Sequence, residues 1–232
     1  MSLRTVWTVL SLLLLTCSYA PASVVVDLTD TSGRDSGWSV TLADDIHNGI
    51  FVDKVTSSYV RIEISKILYQ HAVGGVFPAN EIVFTQRLDD ANTVPVIQIT
   101  DEIITNTTGL DWTDYHWQIV GAPAAFDRTA TDNPSSPFSI SPFTVRTWGA
   151  AQTGWDANHP ASLDVSGGVV PDGATFSPGV DSGRLYVAVD LSAAKSDFTL
   201  RQYPTPEPGT MVLLALGAAG MLLRRRARVR VA

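Results

Sequence analysis

Leu185-Tyr186-Val187-Ala188-Val189-Asp190-Leu191 puts Leu185, Val187, Val189 and Leu191 on one side of an extended chain and Tyr186, Ala188 and Asp190 on the other. Side chains alternate faces along a strand, so this period of two predicts a half-buried β-strand. The same alternation sets Val60, Ile62 and Ile64 against Arg61 and Glu63, and Tyr115, Trp117 and Ile119 against His116 and Gln118. Further strands are predicted at Val24 to Leu28, Trp38 to Leu42, Glu81 to Gln86, Val94 to Thr100, Phe143 to Thr147 and Phe198 to Gln202. Between them lie turn-forming stretches: Asp30 to Gly33, Gly74-Gly75, Asn106 to Gly109, Asn133 to Pro137, Ser166 to Gly168 and Pro171 to Gly173.

About nine or ten short strands with little helix imply an all-β fold, a single antiparallel β-sandwich of which a jelly roll is one form. Helix is expected only in short pieces, Ser65 to Tyr69 or Ala193 to Ser196. The Pro-, Ser-, Thr- and Asp-rich segment Pro123 to Pro142 reads as a long surface loop, with a domain boundary there as the alternative.

Both ends differ from this body. Arg4, the apolar stretch Val6 to Leu15 and the small residues beyond it have the layout of a secretory signal peptide over residues 1–22, which implies the Sec machinery and signal peptidase as partners. Cleavage after Ala20 or Ala22 fits, and Ala22 is favoured because Pro21 would follow the bond cut at Ala20. Cys17, the only cysteine, follows Leu14-Leu15-Thr16. That arrangement resembles a lipoprotein acylation site, except that Thr16 stands where that pattern has Gly, Ala or Ser; a residue of the leader is the simpler reading. The mature chain then has no cysteine and no disulfide.

At the other end, Pro204, Pro206 and Pro208 remove backbone donors and favour extended conformations, so residues 204–208 read as a stiff proline-rich linker. Gly209 to Leu223 carries no charge. As a helix it would reach roughly 22 Å, short of the ~30 Å hydrocarbon core, and makes a weak single transmembrane span. Arg224, Arg225 and Arg226, with Arg228 and Arg230, place residues 224–232 in the cytoplasm as a stop by the positive-inside bias.

Pro206-Glu207-Pro208, an apolar run and a terminal arginine cluster, in that order, resemble the PEP-CTERM tail of exported Gram-negative proteins. The resemblance covers 198–230 and implies that an exosortase, a multi-pass membrane peptidase, cuts near the motif and passes the body to the cell envelope or to a biofilm matrix. A second stretch, Asn106-Thr-Thr-Gly-Leu-Asp-Trp-Thr-Asp-Tyr-His-Trp117, is similar to a segment that recurs in proteins with such tails. There Asn106 to Gly109 supplies a turn and Trp112 and Trp117 supply apolar area; the resemblance assigns the segment no function.

The chain has 16 Lys plus Arg, 23 Asp plus Glu and a net charge of −7. Without Arg4, Glu207 and the five tail arginines, the body over residues 23–203 is near −12. This acidity argues against nucleic acid and against docking on anionic lipid. No metal or cofactor is expected; Ca²⁺ is the alternative to solvated acidic turns for Asp30, Asp35, Asp44, Asp45, Asp89, Asp90, Asp127 and Asp132, which lack the spaced calcium-loop pattern. His47, His71 and His159 share no zinc spacing. Asp114 and His116 could be an orienting carboxylate and its base, but the polar face of an alternating strand is the simpler and favoured explanation. No catalytic motif is present, so a non-catalytic surface or matrix protein is expected. A carbohydrate-binding module is the first alternative, since Trp38, Trp112, Trp117, Trp148 and Trp155 can be core or sugar platform and Trp148 and Trp155 look most loop-like. A polysaccharide hydrolase with paired carboxylates is the second.

Overall fold

The computed structural model describes residues 23–43, 47–72, 76–121, 123–192 and 197–206. Thirteen strands follow in chain order: β1 (Val24–Thr29), β2 (Asp35–Leu42), β3 (Asn48–Val55), β4 (Val60–Leu68), β5 (Asn80–Gln86), β6 (Val96–Asn106) and β7 (Trp112–Val120). They continue as β8 (Ala124–Phe126), β9 (Val145–Trp148), β10 (Ser162–Val170), β11 (Thr175–Phe176), β12 (Leu185–Val189) and β13 (Phe198–Pro206). One sheet runs β1-β2-β5-β13-β7-β10-β9 and is antiparallel throughout. The other runs β3-β4-β6-β12-β8, with β11 also pairing with β6.

The second sheet is mixed, because β4 and β6 pair in parallel. Their connection explains it: β5, between them in sequence, lies in the opposite sheet, so the chain crosses the core and returns in its original direction. Period-two patterning sets which face of a strand is buried but not the direction of its neighbour.

The alternating residues meet in one core. Val60, Ile62, Ile64, Leu185 and Val187 face Trp38, Phe84, Tyr115, Trp117 and Leu200, all at most 1% exposed. Burial of each such aliphatic side chain contributes about 1.5–3 kcal/mol.

Three expectations are corrected. Ser65 to Leu68 is the end of β4 and not helix, held between β3 and β6. The presumed turn Ser166 to Gly168 lies inside β10, where Gly167 (φ +76°) falls within a register shift against β7; such a bulge keeps the strand while bending it. Pro123 to Pro142, expected as a long surface loop, is not surface throughout, since β8 within it pairs with β12 and Ala124 and Phe126 are fully buried. A single helical turn, α1 (Arg128–Thr131), follows, capped by Asp127. The other short helix expected, 193–196, lies outside the described residues.

Candidate functional site

The segment Asn106 to Trp117 builds the root of the C-terminal tail. Asn106, fully buried, donates Nδ2 to Leu110 O (2.9 Å) and Val170 O (3.1 Å) and accepts at Oδ1 from Thr108 N (3.1 Å) and Thr108 Oγ1 (2.8 Å). Gly109, at φ +81°, makes the reversal an L-side chain would resist. Trp112 then turns inward and donates Nε1 to Thr108 Oγ1 at 3.1 Å.

The strand so launched, β7, holds β13, and β13 is where the proline-rich stretch begins. Pro204 and Pro206 pair in register with Tyr115 and Trp112. On its other side β13 meets β5 only as far as Gln202, opposite Asn80. The prolines therefore fall where the strand has one neighbour, which suits residues without an N–H. Thr205 donates N to Asp114 Oδ1 at 2.9 Å, and its hydroxyl donates to the same oxygen. The expected linker thus starts as paired, extended chain. A cavity of about 190 Å³, lined by His47, Tyr69, Phe77, Asn80, Thr108 and Pro204 among others, opens beside it.

Asp114 and His116 belong to this root. His116 Nδ1 meets Asp164 Oδ1 on β10 at 2.7 Å, Nε2 lies 3.3 Å from Asp114 Oδ1, and the ring stacks on Tyr203 of β13 at 4.8 Å. The imidazole thus clamps three strands across the outer face of the sheet. Burial works against its charge, but the two carboxylates outweigh that and raise its pKa above the usual 6.5. For Asp114 burial is likewise outweighed, by the hydrogen bonds of His116 and Thr205, and its pKa is lowered. The stabilisation carried by imidazolium is complete below the unfolded-state value near 6.5 and disappears as pH rises through the higher folded value. Thermal melts between about pH 6 and 8 should show this loss in the wild type, and His116→Gln should remove it; an identical pH slope in both would refute the clamp.

The other sequence-singled residues do not converge. Trp148, half-buried on β9, donates Nε1 to Asp132 Oδ2 at 2.7 Å and leans on Phe126, whereas Trp155 packs against His159. Trp38, Trp112 and Trp117 are core. His47 stacks on Tyr69, His71 Nδ1 meets Thr108 O at 2.8 Å, and His159 Nδ1 meets Asp156 Oδ1 at 2.7 Å. Asp30 accepts from Ser32, Arg34 and Val55, which lowers its pKa to about 2. Asp35 takes Arg87, Asp89 and Asp127 cap short helices, Asp90 takes Gln86, and Asp132 takes Arg146 and Trp148. Among the described residues no three His, Cys, Asp or Glu side chains form a group able to hold a metal ion. Ala20, Ala22, Cys17, Asp44, Asp45, Glu207, Pro208, Arg224, Arg225, Arg226 and the span 209–223 lie outside the described residues. Among the described residues no helix is long and apolar enough to cross a membrane.

Sequence reasoning missed a buried polar cluster between the sheets. Lys66 on β4 and Glu102 on β6 have fully buried side chains, with Nζ 3.3 Å from Oε1. Gln202 on β13, also fully buried, accepts from Lys66 Nζ at Oε1 and donates Nε2 to Glu102 Oε1 at 2.9 Å. Tyr115 Oη donates to Gln202 Oε1 at 3.0 Å, and Trp117 Nε1 donates to Glu102 Oε2 at 2.8 Å. Burial pushes the Lys66 pKa down against the pull of Glu102, and burial followed by the Glu102 charge pushes Tyr115 well up. Two members had a signal: Lys66 continues the face of Val60, Ile62 and Ile64, and Gln202 that of Phe198 and Leu200. Glu102 faces inward because β6 carries an extra residue against β4 between Thr100 and Ile103, with Asp101 at φ +49°.

Residues 204–226 match the family model of the PEP-CTERM protein-sorting motif, and the chain carries that motif. The motif supports export, membrane anchoring before processing, and processing by an exosortase-type membrane enzyme. No curated protein and no solved structure matches the chain.

Proposed function

We propose that this is a non-catalytic protein of the cell envelope or extracellular matrix, whose sandwich is a passenger delivered by tail processing. A leader cleaved after Ala22 and a single crossing through 209–223, stopped by Arg224 to Arg226, would hold the body outside the inner membrane until an exosortase releases it. The observation that carries this reading is the continuity of the motif with β13: the matched residues begin at 204, inside the strand that ends at Pro206.

The test replaces Pro206, Glu207 and Pro208 by alanine. Alanine is compatible with the single-neighboured end of β13, so the sandwich should fold and the change should be confined to sorting. Fractionation should then show the unprocessed, larger form retained in the membrane. Unchanged size and unchanged location would sink the proposal. The carbohydrate-binding alternative predicts that Trp148→Ala or Trp155→Ala weakens binding on a glycan array, and a flat wild-type response removes it.

A further inference from the structure

Lys66, Glu102, Gln202 and Tyr115 bring an amine, a carboxyl group, a carboxamide and a phenol together in a site closed to solvent. Gln202 touches both members of the ion pair: its Oε1 meets Lys66 Nζ and its Nε2 meets Glu102 Oε1, so the amine lies against the carboxamide group and the carboxyl oxygen against its nitrogen. We propose that the chain cross-links itself here, forming an amide between Lys66 Nζ and Gln202 Cδ with release of ammonia. This goes beyond the delivery of the body and does not depend on it.

Each step has a group in place. A desolvated lysine favours the neutral, nucleophilic amine, and the burial that lowers the Lys66 pKa acts in that direction. Glu102 Oε1 lies 3.3 Å from Nζ and 2.9 Å from Nε2, so one carboxyl oxygen spans the nitrogen that must lose protons and the nitrogen that must gain one. The ammonium gives its first proton to Glu102, and the freed lone pair attacks Cδ, one bond from the oxygen Nζ already touches. The carbonyl electron pair moves onto Oε1, where the Tyr115 hydroxyl, 3.0 Å away and held protonated by its raised pKa, stabilises the developing charge. Nζ then gives up a second proton through Glu102, Nε2 receives one, the Cδ–Nε2 bond breaks as the carbonyl re-forms, and ammonia departs. Glu102 keeps the remaining proton, so an ammonium–carboxylate pair is replaced by an amide and a neutral acid, which removes the cost of two charges in the core. No oxidant or cofactor enters. Trp117, donating to Glu102 Oε2 at 2.8 Å, is a positioning residue.

The bond would tie β4 of one sheet to β13 of the other, between positions 136 residues apart. It would do for a body without cysteine what a disulfide does elsewhere, and it would not be undone by reductant.

The experiment is mass spectrometry of the full-length protein after denaturation and trypsin digestion. The expected result is a branched species joining the peptide that contains Lys66, uncut at that lysine, to the one that contains Gln202, lighter than the two linear peptides combined by one ammonia beyond the missed cleavage. Linear peptides cut after Lys66, with none of the branched species, would overturn the proposal without recourse to any variant. Glu102→Gln preserves shape and should abolish the branched peptide while circular dichroism still reports a β-fold; full cross-linking in that variant would overturn the assignment of Glu102. Tyr115→Phe removes the oxyanion donor alone and should slow the appearance of the branched peptide at least tenfold, and an unchanged rate would overturn the role of Tyr115.

Discussion

Trp38→Ala should lower the unfolding free energy by about 3–5 kcal/mol, the range for removing a buried aromatic ring. The indole is fully buried, meets Phe198 edge-on at 5.9 Å and donates Nε1 to Val94 O at 2.9 Å. Phe198 in turn stacks on Phe84 at 4.7 Å, so the void opens where β2, β5 and β13 meet. The carbonyl left without its donor adds a share of that loss, of order 1–3 kcal/mol for a buried unpaired group. Against a total stability of about 5–15 kcal/mol this is a large fraction, and the melting temperature should fall by on the order of 10 °C. Trp38→Phe refills part of the volume but not the hydrogen bond and should fall between. Equal melting temperatures for wild type and Trp38→Ala would remove Trp38 from the core.

The second large effect is expected at Gly183. Its φ is +73°, and a Cβ built there would lie 2.4 Å from both Phe138 N and Pro137 C. These are backbone atoms and cannot swing aside. Gly183→Ala therefore combines left-handed strain of roughly 1–2 kcal/mol with displacement of the segment that seats Phe138. That ring is 1% exposed and packs edge-on against Trp117 at 6.1 Å, so the loss should approach the several kcal/mol of deleting it. Gly154 is the internal control: at φ +86° nothing lies within 4 Å of its Cβ position, and Gly154→Ala should carry the strain alone. Denaturant melts that place the two variants together would show that the close approach at Gly183 carries no energy.

The strands with clean alternation, β4, β7 and β12, are readable from residue order because burial is one-sided there. What escaped has local causes. Asn48 to Val55 alternates weakly, with Phe51 about half exposed, so β3 has no strong pattern. Gly167-Gly168 reads as a turn, yet pairing with β7 resumes at Val170 and leaves the two glycines inside β10 as a bulge. Glu102 sits on the wrong parity of β6 for a core residue, and only the extra residue near Asp101 turns it inward. The tail was legible because its parts are contiguous; the charged and amide groups between the sheets were not, since β4, β6, β7 and β13 bring them together across up to 136 residues. Tryptophan shows the same limit, as composition supplies the rings but only packing separates Trp38, Trp112 and Trp117 from the half-buried Trp148 and Trp155.

The strand made last is not at a margin of its sheet. β13 lies between β5 and β7, so until residues 198–206 arrive those two strands face each other across a gap with unpaired amides on both sides. Chains emerge amino end first, so β5 and β7 wait for β13 to be made. A polypeptide terminated early by a nonsense codon thus loses the keystone of its architecture together with its destination, and a fragment unfit to persist is also a fragment without papers to travel.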